Sequence, residues 1–278
     1  MVFLKRNKEN NYLTNLIYFN ICVFIVIGIF NVFFYLLQLD FELIDYLGVS
    51  SNTNIVIKKP WTIISYMFVH IGIFHLLVNL LVLHFSGKIF LEYLSKHQLL
   101  STYLMGGMIG AITYILTFNL FPVFEEIRMS SIAIGASASI FAILFAITTY
   151  VPNFSINLFF INGIKLKHIA IITLIIDILS IPKGNPGGHI AHIGGALYGS
   201  FYIYMYKRNM NSGYLMESLI SWVLKKNVIQ YKKNESDYEY NTRKKKEQEE
   251  IDGILDKINR SGYNSLSEKE KQILFKQK

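Results

Sequence analysis

Apolar residues gather into six long runs separated by short polar stretches, near positions 14–38, 72–93, 98–120, 133–151, 166–182 and 188–206. A hydrocarbon core about 30 Å thick takes about 20 apolar residues of helix to cross. The pattern therefore predicts six transmembrane helices, the fourth and fifth being short. Hydrocarbon offers backbone groups no partners, so such runs must pack as helices. The expected fold is all-α, a polytopic membrane helical bundle over 14–206 preceded by a cytoplasmic N-terminus, 1–13.

Beyond the sixth run the pattern changes. Met216, Leu219, Ile220 and Val223 recur at helical spacing before Lys225 and Lys226, predicting an amphipathic segment over 207–230 on the inner membrane surface. Residues 231–250 are hydrophilic and read as a flexible linker. Over 251–278, Ile251, Ile254, Leu255 and Ile258 form one helical stripe, Gly262 fits a stop, and Ser267 to Glu270 reads as a capping box. This predicts a small cytoplasmic α-helical tail module, which at its size needs a partner, of unknown identity.

Composition supports the membrane reading. Of 278 residues 52% are hydrophobic and only 17% charged. The run from Leu16 to Leu37 is too long for a signal peptide and lacks a small-residue cleavage site, so it is read as a retained span. Lys5, Arg6, Lys8, Lys88, Lys96, Lys165, Lys167, Lys207 and Arg208 fall on one side, against Lys58, Lys59, Arg128 and Lys183 on the other. By the positive-inside tendency both termini are cytoplasmic, and the expected location is a bacterial inner membrane. The net charge of +8 is spread over these flanks and the mixed-sign tail, which suits anionic lipid and not nucleic acid. Cys22 is the single cysteine, which excludes an intramolecular disulfide.

Between the first two spans runs a long outer connection, 39–71, whose Trp61, Tyr66 and Phe68 suit an interfacial position. The strongest chemical signal is Gly135-Ala136-Ser137-Ala138-Ser139, opening the fourth span. Ala138, Ala142 and Ala146 make a small-residue ridge on that span, matched by Ala191, Gly195 and Gly199 on the sixth, beside His192. Paired small ridges let backbones approach closely, bringing the Ser137 hydroxyl within reach of His192. An intramembrane histidine is costly and hence a functional candidate, and a serine beside a base is a nucleophile. His189, one turn earlier, is a rival base, and Ser139 a rival nucleophile pointing about 200° away around the helix.

His75 and Asn79, at i and i+4 on the second span, share a face near the outer end. With the backbone N–H of Ser137 they supply donors for an oxyanion. His70 reads as loop support, and His84 and Glu92 lie too far inward to serve the site. Asp177, the carboxylate of the fifth span, is read mainly as a structural or water-exposed group, with a role as third triad member as the alternative. No His-Glu-x-x-His occurs and no carboxylate is expected to accompany the histidines, so neither metal nor cofactor is expected.

These residues resemble the rhomboid intramembrane serine proteases. The resemblance rests on three motifs: His70-x4-His75-x3-Asn79, Gly135-Ala136-Ser137-Ala138, and Ala191-His192-Ile193-Gly194-Gly195-Ala196-x2-Gly199. They stand in that family's order, in its second, fourth and sixth spans. The resemblance implies Ser137 as nucleophile, His192 as general base of a Ser–His dyad, and His75 and Asn79 in the oxyanion hole. It implies no third acidic residue. Gly135, Gly195 and Gly199 belong to the same motifs. Two positions depart from the pattern of many relatives, Ala138 where they carry Gly and Trp61-Thr62 where they carry Trp-Arg. The tail resembles a short helical extension of some bacterial members. The implied activity is endopeptidase cleavage of transmembrane protein substrates within the lipid bilayer. The alternatives are a non-catalytic rhomboid-like protein that binds transmembrane clients and a transporter, for which the chain lacks the paired broken helices of two repeated halves.

Overall fold

A computed structural model describes residues 2–158, 161–210, 213–223 and 237–275. Each apolar run is a helix: α1 (Val2–Leu36), then, after the outer connection with its short helices α2 (Ile44–Leu47), α3 (Thr53–Lys58) and α4 (Thr62–Ser65), α5 (Ile73–Tyr93), α6 (Lys96–Leu120), α7 (Ser137–Tyr150), α8 (Leu166–Ser180) and α9 (Pro186–Tyr206). Tyr12–Leu36 of α1, α5 and α6 are long and apolar enough to cross a membrane. The chain is an all-α membrane bundle. It divides into two compact units, one over Tyr12–Leu224 and one comprising residues 1–11 and 225–278.

The helices begin and end where local chemistry dictates. Ser95 and Gln98 form a reciprocal capping box that opens α6, satisfying two N–H groups that the first turn leaves without partners. Asn185 caps α9 by accepting from Gly188 N–H, with Pro186 in the first turn.

α7 is the centre of the first unit. Ala138, Ser139, Ile140, Ala142, Ile143, Leu144, Phe145, Ala146, Ile147 and Tyr150 are all buried, because α5, α6, α8 and α9 pack around it. Outer helices keep apolar faces exposed, as in Ile171, Ile172, Ile175, Ile176 and Leu179 of α8. That is the arrangement expected where lipid is the solvent. Three span hydroxyls are returned to the preceding turn, Ser86 to Val82 O, Thr113 to Ile109 O and Thr149 to Phe145 O.

The length of α7 sets the depth of the site. Its 14 residues make a helix about 21 Å long, short of a core about 30 Å thick. Lys207 Nζ donates to Thr149 O at 2.7 Å and lies over the Tyr150 ring. A lysine ammonium at the C-terminal end of α7 suits a polar boundary there, and a helix of this length cannot reach from that boundary across the whole core.

The outer connection is tied down over that end. β1 (Val49–Ser50) pairs antiparallel with β2 (Ile132–Ala133), Val49 opposite Ala133 and Ser50 opposite Ile132. Gly135 N–H donates to Tyr66 O at 2.9 Å, and the Tyr66 hydroxyl reaches into the bundle to Gly107 O at 2.6 Å. Trp61, half exposed, donates its indole N–H to Tyr46 O at 2.8 Å. A second hairpin, β3 (Ser155–Leu158) with β4 (Ile161–Lys165), joins α7 to α8.

α10 (Tyr214–Val223) belongs to the same unit and packs on α6. Ile220 is buried and the Tyr202 hydroxyl donates to Glu217 at 3.0 Å, while Leu215, Leu219 and Trp222 remain exposed. Lys225, Lys226 and residues 231–236 lie outside the described residues. Of the expected linker, 237–250 is instead the first part of α11 (Asp237–Ser261). Its polarity is that of an exposed helix supported by pairs such as Lys245 with Glu249.

In the tail, α11 stops at Gly262 (φ 74°) and α12 (Glu268–Phe275) opens with the capping box, Ser267 N–H to Glu270 at 2.6 Å and Glu270 N–H to Ser267 Oγ at 3.3 Å. Lys257 pairs with Glu270 at 2.8 Å and joins the two helices. Hydrogen bonding from Lys257, then from Ser267, lowers the Glu270 carboxyl to about 2. A depressed carboxylate contributes stability that is present above the ordinary range near 4.5 and is lost as pH falls through about 2. The protection factors of α12 amides in the full chain, taken relative to intrinsic exchange at each pH, are expected to fall over that window, and Glu270→Gln is expected to lower them at neutral pH.

Candidate active site

The pairing of α7 with α9 is governed by glycine. The ideal Cβ position of Gly195 falls against the carbonyl of Ala138, and that of Gly199 against the carbonyl of Ala142. Without side chains there, the two backbones meet directly. α6 contributes a third ridge that sequence inspection passed over: Gly106 faces Ala142, Gly107 faces Ser139, and Gly110 faces both Ala138 and the Ala191 carbonyl. The small-xxx-small spacing of Gly106 and Gly110 was the signal that could have revealed it.

This packing sets Ser137, the first residue of α7, at the junction of α7 and α9. Phe141, one turn further along the same face, stacks on the His192 ring with centroids 4.6 Å apart and planes 19° apart. The helix that Ser137 opens thus carries the aromatic partner of His192. Ser139 points elsewhere, fully buried with its hydroxyl beside Met67 Sδ at 3.7 Å.

His75 lies against the backbone just before Ser137. Gly135 has φ 117°, and a Cβ there would sit 3.0 Å from the His75 ring, so a left-handed backbone and a close ring both require glycine. Asn79 is buried and donates one amide hydrogen to His75 O at 2.8 Å, leaving the second amide hydrogen available. The first turn of α7 leaves the N–H groups of Ser137 and Ala138 without intrahelical acceptors.

His70 secures the approach. Ala136 N–H donates to its Nε2 at 3.5 Å, so the proton resides on Nδ1, which faces Phe68 O at 3.3 Å. Burial, reinforced by neighbouring His75, lowers the imidazole to about 4. It remains neutral at physiological pH, and His70 and His75 meet edge to face at 5.2 Å. His84 and Glu92 stand nine and seventeen residues beyond His75 on α5, far toward its other end.

Asp177 is not water-exposed: α8 packs on α9 and presents the carboxylate, only 5% exposed, to both histidines there. Its Oδ1 meets His192 Nδ1 at 2.9 Å and His189 Nδ1 at 2.5 Å. The histidines therefore do have a carboxylate beside them. No sequence spacing could show it, since the contact depends on the angle at which α8 returns along α9.

Chemically, Asp177 fixes the His192 tautomer with its proton on Nδ1, leaving Nε2 as the basic nitrogen. The arrangement supplies a hydroxyl and N–H donors at the N-terminal end of α7, with His75 against the preceding backbone, and on α9 a basic nitrogen supported by a carboxylate.

Residues 58–209 match the family model described as Rhomboid domain, and residues 235–276 match a family of unknown function. The chain is 32% identical over 147 residues to the presenilin-associated rhomboid-like protein A, mitochondrial, of Danio rerio, covering 49% of this chain and 35% of that protein. It is 29% identical over 177 residues to rhomboid-related protein 1 of Caenorhabditis elegans, covering 59% and 45%. To the presenilin-associated rhomboid-like protein, mitochondrial, of Bos taurus it is 28% identical over 142 residues, covering 49% and 35%. In each case the match spans less than half the relative's own length. With the helix order, the glycine-governed pairing of α7 and α9 and a domain match over more than half of its residues, the chain belongs to the rhomboid family.

Proposed function

We propose that this protein is an intramembrane serine endopeptidase that cleaves transmembrane segments of other membrane proteins. The observation that carries the reading is the 2.9 Å contact of Asp177 Oδ1 with His192 Nδ1 on α9, the helix whose Gly195 meets the α7 backbone at Ala138, next to Ser137. In the proposed reaction His192 Nε2 accepts the Ser137 proton as the hydroxyl oxygen attacks a substrate carbonyl. The resulting oxyanion is held by the N–H of Ser137 and by donors from Asn79 and His75. His192 returns the proton to the leaving amine, and water then hydrolyses the acyl-enzyme by the reverse proton path.

A helical substrate hides its carbonyls in hydrogen bonds, so it must unwind before attack, which favours segments weakened by Gly or Pro. The basic-residue bias supports cytoplasmic termini in this reading, with a bacterial inner membrane as the proposed location. The mitochondrial location in two relatives' names is theirs. Neither cofactor nor resident metal is required by this chemistry.

A fluorophosphonate probe applied to the full chain in lipid tests the reading. Labelling mapped to Ser137, with parallel cleavage of a single-span reporter, is the expected result. Client binding without labelling or cleavage would instead support the non-catalytic alternative.

Asp177 acts through His192 as a positioning residue. Asp177→Asn is expected to lower kcat about 10- to 100-fold while changing KM little, since the serine, base and oxyanion donors remain. An unchanged kcat in Asp177→Asn, or a loss confined to KM, would reduce Asp177 to a structural role.

A further inference from the structure

Asp177 Oδ1, His189 Nδ1 and His192 Nδ1 all lie within 4.8 Å of one another, and the carboxylate oxygen is 2.5 and 2.9 Å from the two nitrogens. Two imidazoles that converge on one oxygen through the same ring atom already point three donor atoms at a common centre. Metal–ligand bonds of 2.0–2.1 Å in a tetrahedral site separate ligand atoms by about 3.3 Å. Each oxygen–nitrogen pair opens by less than about an ångström, and the two nitrogens, within 4.8 Å of each other, close toward the same spacing for a cation to enter between them.

We propose that Asp177, His189 and His192 form a binding site for a divalent transition-metal cation, of the Zn2+ class, that silences the protease reversibly. This rests on the peptidase reading for its consequence but not for the site itself. Two imidazoles and one carboxylate make a donor set suited to zinc and poorly suited to Mg2+ or Ca2+, which take oxygen ligands. Three protein ligands leave a fourth position for water. Access is built in: the His189 side chain is 23% exposed and that of His192 17%, while Asp177 at 8% is sheltered against the bundle.

The silencing follows from the imidazole's single proton. A neutral ring that coordinates a cation through Nδ1 carries its proton on Nε2. Nε2 is the atom that must be free to accept the Ser137 proton, so coordination converts the base into a group that cannot act. The cation also removes the carboxylate from its orienting bond. His189, for which the proposed reaction has no task, acquires one as the ligand that makes the site tridentate. Its position one turn before His192 on α9 is the i, i+3 spacing that places two rings on one helix face.

Binding is read with CoCl2 as the probe on untagged Ser137→Ala protein in lipid, following the visible absorption that four-coordinate Co2+ gains on binding. One saturable equivalent, displaced by ZnCl2, is expected. His189→Gln and Asp177→Asn, each in the Ser137→Ala background, should weaken binding by at least about tenfold, since loss of outer-shell partners alone costs that much. In the serine-intact chain ZnCl2 should stop reporter cleavage, EDTA should restore it, and His189→Gln should need at least about ten times more ZnCl2 relative to its own metal-free rate. Co2+ binding that is absent, or indifferent to His189→Gln and Asp177→Asn, overturns the site. Binding as expected with cleavage unaffected by ZnCl2 overturns the silencing. A chain that binds Co2+ but never cleaves overturns the peptidase reading and its inhibition, leaving the site established.

Discussion

Ser137→Ala is expected to reduce reporter cleavage by about 10^4-fold or more, to the level of the uncatalysed background, with the helical content and thermal midpoint of the chain unchanged. The side chain is only partly buried at the first position of α7, so removing its hydroxyl leaves no cavity. Ser139→Ala is the matched control. Ser139 is fully buried with its hydroxyl against Met67, and its replacement should leave most activity intact. Assayed side by side in membranes, cleavage that persists in Ser137→Ala and fails in Ser139→Ala would reverse the assignment.

The second large effect comes from a residue that touches no substrate. Gly195→Ala is expected to cost both stability and activity. The added Cβ meets the carbonyl group of Ala138, its carbon at 2.9 Å and its oxygen nearer still, and backbone cannot rotate aside as a flexible side chain would. Overpacking of this kind costs about 1–3 kcal/mol where neighbours yield. Here the yielding element is α9 itself, which carries His192. The lateral shift that relieves the clash moves the base from the nucleophile, so kcat should fall at least about 100-fold even in the fraction that stays folded. Gly28→Ala supplies the contrast. It lies in α1 with nothing within 4 Å of its Cβ position, and the change should be neutral or raise the thermal midpoint slightly. Thermal unfolding in detergent together with cleavage in lipid separates the two cases, and equal behaviour of both variants would contradict direct backbone contact at Gly195.

The two substitutions divide the site into what reacts and what holds the reacting groups together. α7 is too short to cross the core and is enclosed by its neighbours, so Ser137 is recessed by helix length, while contact with α9 through Gly195 and Gly199 sets its distance from the base. Ala138, where many relatives carry glycine by resemblance, points its methyl group toward Gly110. The glycine on α6 provides the room that glycine on α7 would otherwise leave.

Sequence by itself determined the six helices, because hydrocarbon admits few other structures and run length records the thickness to be crossed. It also determined the ridges Ala138–Ala142 and Gly195–Gly199, since residue size is written in the chain, and the tail capping box, whose partners lie three residues apart. The expected linker misled because polarity without apolar periodicity looks alike in a coil and in an exposed helix such as α11. What only the tertiary structure decided is the environment of the base. Asp177 stands fifteen residues before His192 on a different helix, and no periodicity relates them. Their 2.9 Å contact exists because α8 turns at Gly184 and Asn185 and returns as α9 along its own buried face. A carboxylate's role beside a histidine is set by distances of a few ångströms between separate helices, and those distances arise only when the helices pack.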